Sequence, residues 1–476
     1  MRRAYVILSQ GPHTQGVNVK SLKKSLRLVD AVALVIGTVI GSGIFASPNR
    51  VMMQMGSISL SLSVWLVAGL LSLAGALCYA ELGAMLPKAG GDYEYLKQGL
   101  GRMWGFLFSW SQFLVMKTGS IAIIAFICGK YLGTALFGID PTSDSDPRIK
   151  IVAISIIILL TLINYFGIRW GALLQNVFTA LKLIALGVII IIGFININQF
   201  FVYWHQPLPP DIYAKTGVAQ TGILSAFGLA MIKALWAYDG WNNLSFVAEE
   251  TKNPERDIPR ALVFGVLGVT AVYLLVNVAY HAILPPEQLA VKSGAVAYTT
   301  GLKIWGPVGG TILALAVAAS TFGATNGSLL CGSRIYFAAA RDRLFFNKLA
   351  EVDPKSGVPR VALILQSAWA CLLLIPGNFD TLVDYFGFAA FIFYGLCVYG
   401  LMRLRSLYPD LPRPYKVQPY PLVPLVFMAG ASFLVVNTFI GEFTSSLYSL
   451  GFILLGLPVF YFLFRTAPAP VAESQE

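Results

Sequence analysis

The sequence predicts an all-α, polytopic membrane protein of twelve transmembrane helices, with the first and sixth helices discontinuous. Three observations carry the prediction. Of 476 residues, 57% are hydrophobic and only 12% charged, and the mean hydropathy is +0.70, outside the range of soluble globular chains. Apolar runs repeatedly reach the roughly 20 residues that cross about 30 Å of hydrocarbon. Two of these runs, five apart, are interrupted in their middles by glycine and polar residues.

In order, the runs cover residues 28–55, 58–86, 101–133, 150–168, 172–194, 219–250, 260–284, 303–339, 359–376, 379–404, 421–441 and 445–465. They form one transmembrane domain over 28–466, with a first repeat at about 28–194, a second at about 219–404 and two further helices at about 421–465. A basic, polar segment at 1–27, without the apolar core of a signal peptide, and a tail at 467–476 flank the domain. An even count places both termini on one side. Most lysines and arginines fall in loops on that side, while the opposite loops hold only Arg50, Lys130, Arg148, Lys150, Lys215, Lys292 and Lys303. Both termini are therefore expected in the cytoplasm, and the chain in the cell membrane among lipid.

Several function classes are excluded. The net charge of +11 sits in loops rather than on one exposed face, so no nucleic-acid partner is expected. The five cysteines lie in apolar runs without metal-ligand spacing, and no metal or other cofactor is expected. With no HExxH, GxSxG or CxxC signature, and only His13, His205 and His281, the chain is not expected to be an enzyme. A potassium-type TVGYG filter is also missing.

The first interrupted run reads Val39-Ile40-Gly41-Ser42-Gly43. Glycine is poor in helix interiors and tolerates other backbone angles. If the helix opens here, carbonyls and amides lose their partners, which hydrocarbon tolerates only around a polar cavity. The amides of Ser42 and Gly43 then suit a carboxylate. Close helix packing through small residues is the other reading. The second run, Trp236-Ala237-Tyr238-Asp239-Gly240-Trp241-Asn242, places an acid at mid-membrane depth, a functional candidate by default. Its carbonyls suit an ammonium, and Trp236 suits a gate. A packed tryptophan and a lysine-paired aspartate remain the alternatives. Two glycine-broken spans separated by five are what an inverted five-plus-five repeat produces.

Three lysines lie inside spans: Lys117, Lys182 and Lys233. Gln175, Thr179 and Lys182 share a helical face that should look inward. An ammonium there either replaces a bound cation, titrates, or ties down backbone carbonyls. Lys117 is expected to pair with Asp239, while Lys233, one turn before Trp236, adds positive charge near the path. Ser320, Gly323, Ala324 and Gly327 form a small-residue stripe that either packs closely or lines a cavity. Glu249, Glu250, Arg256, Asp257 and Arg260, with Arg334, Arg341 and Arg343, are candidate inner-gate charges that are otherwise simply solvated.

These residues resemble the amino acid, polyamine and organocation superfamily, and within it the L-type amino-acid transporter family. The matching stretches are IGTVIGSGIFASP (Ile36–Pro48), GALCYAELGAMLPKAGGDYEY (Gly75–Tyr95), NVFTALK (Asn176–Lys182) and LWAYDGWNNLSFVAEETKNPERDIP (Leu235–Pro259). The resemblance implies the leucine-transporter-like fold and an L-amino-acid substrate. It implies substrate binding by Val39, Ser42, Gly43, Trp236, Ala237 and Asp239, with the carboxylate on the amides of Ser42 and Gly43 and the ammonium on carbonyls around Val39, Trp236 and Asp239. Trp236 matches the gate, and Lys182 matches a lysine occupying the region of a sodium site. The WAYDGWN run and Lys117 look most like the branch that exchanges neutral and dibasic amino acids, with Lys117 and Lys233 as specificity candidates. The expected function is thus sodium-independent exchange of neutral, and through Asp239 cationic, amino acids. Lys233 argues against the cationic part. The alternatives are a proton-coupled symporter using Lys182 and a non-transporting amino-acid sensor. No disulfide-linked heavy chain is expected, because the loop from Thr134 to Lys150 has no cysteine; in this the chain resembles stand-alone bacterial members.

Overall fold

The structure, a computed structural model, describes residues 26–140, 143–166, 168–290, 295–353, 358–377 and 379–465, with the side chains of 168–177 and 179 excepted. The tail predicted at 467–476 and the N-terminal segment up to residue 25 lie outside these residues, as do the side chains of Gln175 and Thr179. Among the described residues every regular element is helical, apart from an isolated bridge between Leu26 and Thr251. In hydrocarbon the helix satisfies its backbone polar groups internally, so long apolar runs fold this way.

The first predicted span is three helices, α1 (Leu28–Val39), α2 (Gly43–Ala46) and α3 (Pro48–Met55). Next come α4 (Ile58–Met85), a loop helix α5 (Asp92–Leu100), α6 (Arg102–Phe137) and α7 (Pro147–Phe166). The fifth predicted span is α8 (Ile168–Ile195), followed through a 71° bend by α9 (Ile197–Trp204). The sixth is split into α10 (Ile223–Tyr238) and α11 (Asn243–Phe246). Then follow α12 (Pro254–Ile283), α13 (Val296–Arg341), α14 (Arg360–Leu374), α15 (Phe379–Leu407), α16 (Leu422–Gly441) and α17 (Phe443–Phe464). Among the described residues nine stretches are long and apolar enough to cross a membrane, α8–α9 makes a bent tenth, and α10 and α14 are shorter apolar helices. The chain is therefore a multi-pass membrane protein.

Two helices depart from regularity within their spans. In α13, Trp305 and Gly306 leave helical angles just before Pro307, whose ring and missing N–H break the ladder. In α6, residues Gln112–Met116 form a π-helical turn immediately before Lys117, a distortion common at functional sites.

Large apolar side chains such as Leu70, Ile158, Ile184, Phe264, Ile312 and Ile440 face outward, as lipid contact requires. Leu26 fixes one end of the molecule. Its amide donates to Glu250 O at 3.0 Å and its carbonyl accepts from Lys252 N–H at 2.9 Å. The Ala89 amide donates to Glu249 at 3.3 Å, so the loops after α4 and α11 share that face, called below the Leu26 face. Arg341, at the end of α13, stands 3.9 Å from Glu249 on the same face.

Candidate functional site

At the first break Ile40 leaves helical geometry, with φ −70° and ψ 84°. The Gly41 amide then turns to Val39 O at 2.7 Å instead of closing the helical bond to Gly37. The Gly37 carbonyl is thereby freed, and Lys182 Nζ donates to it at 2.5 Å and to Ile40 O at 2.6 Å. Lys182 is 1% exposed. Its ammonium thus gathers backbone oxygens at the end of a half-helix, an arrangement in which a bound cation also sits comfortably.

At the second break Asp239 is extended, with ψ 148°, and Gly240 has φ +113°, a left-handed geometry that glycine adopts without penalty. A Cβ on Gly240 would also stand 3.0 Å from Thr38 O. The breaks are tied together. The Tyr273 hydroxyl, from α12, lies 2.9 Å from both Val39 O and Ala237 O. Thr38 Oγ1 reaches Gly240 O at 3.0 Å and Ser47 Oγ donates to Lys233 O at 2.8 Å.

The two half-helices touch at Gly43, where a Cβ would fall 2.3 Å from Ala237 Cα. Packing and opening are thus both present at this glycine. The Ser42 hydroxyl next to it is buried without a hydrogen-bond partner among the described residues. Beside Asp239 lies a cavity of about 10 Å³, lined by Leu235, Trp241, Tyr394 and Phe386 among others, the space of roughly one water. The contact of Gly43 with Ala237 is what closes the breaks upon each other. The stripe predicted on α13 packs against them: Ala324 lies 3.4 Å from a Cβ built on Gly41, and Gly323 fits under Phe178.

One expected partnership and one expected charge are corrected. Lys117 Nζ donates to Asn243 Oδ1 at 3.0 Å, not to Asp239, whose carboxylate accepts from the Tyr394 hydroxyl at 2.6 Å. Asn243 opens α11 on the far side of the break from Asp239, and where the unwound segment sets these two residues against α6 decides which the lysine meets. Lys233 is not an uncompensated charge. It pairs with Asp384 at 2.6 Å and stands 3.6 Å from Asp380.

Trp236, 6% exposed, meets the edge of Phe379 at 5.2 Å between centroids. Phe379 also lies under the Arg50 guanidinium, 3.9 Å above its ring. Arg50 also binds Asp380 at 2.8 Å and Asp144 at 3.2 Å, and Lys130 binds Asp144 at 2.6 Å. This charge cluster closes the face opposite Leu26. On the Leu26 face, Lys97 binds Glu94 at 2.5 Å and also Asp342, which accepts from the Tyr93 hydroxyl at 2.7 Å.

The structure therefore brings Val39, Ser42, Gly43, Trp236, Ala237, Asp239 and Lys182 to one place, with Lys117 and Lys233 on either side of the second break. Sequence reasoning missed Tyr273, Tyr394, Asp380, Asp384 and Asp342. Asp380 and Asp384 carried a signal, being acids four apart and so on one face at the end of an apolar span. The tyrosines carried none, since an aromatic in an apolar run reads as core.

A family model for amino acid permeases matches residues 26–463. The b(0,+)-type amino acid transporter 1 of Mus musculus is 38% identical over 454 residues, 95% of this chain and 90% of the relative. The Large neutral amino acids transporter small subunit 2 of Homo sapiens is 38% identical over 442 residues, 93% of this chain and 80% of the relative. The human b(0,+)-type amino acid transporter 1 is 37% identical over 462 residues, 96% of this chain and 90% of the relative. Nearly the whole helical domain is covered, both broken helices included, and the chain belongs to the amino acid permease family of the amino acid, polyamine and organocation superfamily, a family of membrane transporters and not of enzymes.

Proposed function

We propose that the chain exchanges L-amino acids across the cell membrane without sodium, by alternating access, with the substrate held between the two broken helices. The observation that carries this reading is Lys182: its ammonium occupies the carbonyl cluster of Gly37 and Ile40 at the first break, leaving no role there for a metal cation. The substrate carboxylate goes to the amides of Ser42 and Gly43, beside the unpartnered Ser42 hydroxyl. The ammonium goes to carbonyls around Val39, Trp236 and Asp239, and Trp236 covers it. Because Gly43 rests on Ala237, α2 and α10 must part to admit substrate, and the Tyr273 hydroxyl is placed to follow either half.

The nine long stretches, the bent pair and the two short apolar helices supply twelve spans. Spans one to five and six to ten form the inverted repeats, with the Leu26 face cytoplasmic. Pairing of Lys233 with Asp384 and Asp380 removes the objection that it repels cationic substrates, so Asp239 remains available to a basic side chain. No disulfide to a heavy chain is needed, since the loop from Thr134 to Lys150 has no cysteine.

Counterflow into proteoliposomes in sodium-free buffer, with labelled serine, leucine, arginine and cystine, tests the reading. Uptake that requires amino acid inside and ignores sodium is the expected result. Uptake into empty vesicles driven by a proton gradient would replace exchange with proton symport through Lys182. Saturable binding without flux would make the chain a sensor.

A further inference from the structure

We propose that Asp92 binds a proton while the Leu26 face is closed and releases it to water on that side when the face opens, setting the pH response of transport. The inference rests on the alternating-access reading above.

Asp92 begins the loop helix α5 and is fully buried, at 0% exposure. It reaches that position through Gly90 and Gly91, both with positive φ. Its Oδ2 accepts from the Tyr79 hydroxyl and from Asn242 Nδ2, each at 3.2 Å. Its Oδ1 is buried with no partner among the described residues. The titratable groups facing it from the surrounding elements are Tyr79 of α4, Tyr95 of α5 itself, Asp239 at the second break, and Tyr394 and Cys397 of α15. All are acids. None of the Asp92 hydrogen bonds among the described residues comes from a lysine or arginine. An ionised carboxylate with one naked oxygen is costly in such a place, and protonation removes that cost. Burial accordingly pushes the Asp92 carboxyl up to about 7, against the hydrogen bonds from Asn242 and Tyr79.

The contact with Asn242 makes this site part of the moving machinery. Asn242 belongs to the second break, and its Nδ2 lies 3.4 Å from the Tyr394 hydroxyl that donates to Asp239. Displacing the break to open the Leu26 face withdraws Asn242 and admits water to Asp92, whose carboxyl then returns toward the ordinary value of about 3.9. The closed form thus holds a proton that the open form loses. Between about 7 and about 3.9, each unit of acidification on that side favours the closed form by up to tenfold, and outside that window the group has no further effect. The same proton is taken up from and returned to the same side, so exchange moves no net proton.

Two measurements on the full chain test this. Infrared titration of the purified protein should show a protonated-carboxyl band that disappears with a midpoint of about 7, is absent from Asp92→Asn and survives in Asp239→Asn. Exchange in proteoliposomes should slow as the Leu26 side is acidified below about 7, and Asp92→Asn should flatten that profile. A band that titrates unchanged in Asp92→Asn, or a wild-type pH profile in that variant, overturns the proposal. If Asp92→Asn does not fold, Asp92→Glu decides, since a longer carboxyl must shift the midpoint and an unmoved one assigns the band elsewhere. If no amino acid is exchanged by any preparation, the transport reading fails while the infrared titration still decides Asp92.

Discussion

Lys182 and Gly43 show how much of the site depends on single groups. Replacing Lys182 by Met leaves the Gly37 and Ile40 carbonyls buried without donors, at about 1–3 kcal/mol each. Exchange per inserted molecule is expected to fall at least about tenfold, with a lowered melting temperature. Counterflow and thermal melting on the same preparation separate the effects: a lower melting temperature with unchanged exchange would make Lys182 a structural tie only. Gly43 is constrained by contact, since an added Cβ meets the Ala237 backbone at 2.3 Å, which cannot rotate away. Gly43→Ala is expected to cost about 1–3 kcal/mol through overpacking. Only part of this should be recovered by Ala237→Gly, because the Ala237 Cα as well as its Cβ lies in the way. Full recovery in the double variant would show that α2 and α10 shift more readily than the contact suggests.

At the scale of elements, α10 is pinned to α15 by the buried pair Lys233–Asp384, with side-chain exposures of 9% and 6%. Breaking such a pair from one side leaves an unpaired charge and costs about 3–5 kcal/mol, whereas replacing both partners by apolar residues is often neutral. Lys233→Met and Asp384→Leu should therefore each destabilise strongly and the double variant little, as a double-mutant cycle in thermal unfolding will show. Additive losses would mean that Asp380, 3.6 Å from Lys233, or solvent already compensates each charge. The sequence displayed Lys233 as an isolated cation because its partners lie about 150 positions away on another helix. The breaks were legible for the opposite reason. Gly41–Gly43 and Asp239–Asn242 alter the backbone where they stand, so their effect is local and needs no knowledge of neighbours. Lys117 marks the boundary between the two cases: its inward position was readable, but choosing Asn243 over Asp239 depends on the path of the unwound backbone between α10 and α11, which no periodicity in the sequence reports.

For the whole molecule, closure on both faces is the organising fact. The Leu26 face is held by Lys97 with Glu94 and Asp342, by Tyr93 with Asp342, and by Arg341 beside Glu249. The opposite face is held by Arg50 with Asp380 and Asp144, and by Lys130 with Asp144. Under the proposed alternating access one set must release while the other holds, so a loss on either side should shift the same equilibrium in opposite directions. Asp380→Asn weakens the second set and should enlarge the population open on that face, lowering the half-saturating substrate concentration there and raising it on the Leu26 face. Asp342→Asn should do the reverse. With partly exposed pairs the shifts are expected at about two- to tenfold, since a tenfold change corresponds to about 1.4 kcal/mol. Half-saturation measured from each side of oriented proteoliposomes checks both variants. Shifts of opposite sign require a single equilibrium connecting the two faces through the broken helices, whereas shifts of the same sign would mean that the faces open independently and that the contact of Gly43 with Ala237 does not transmit closure between them.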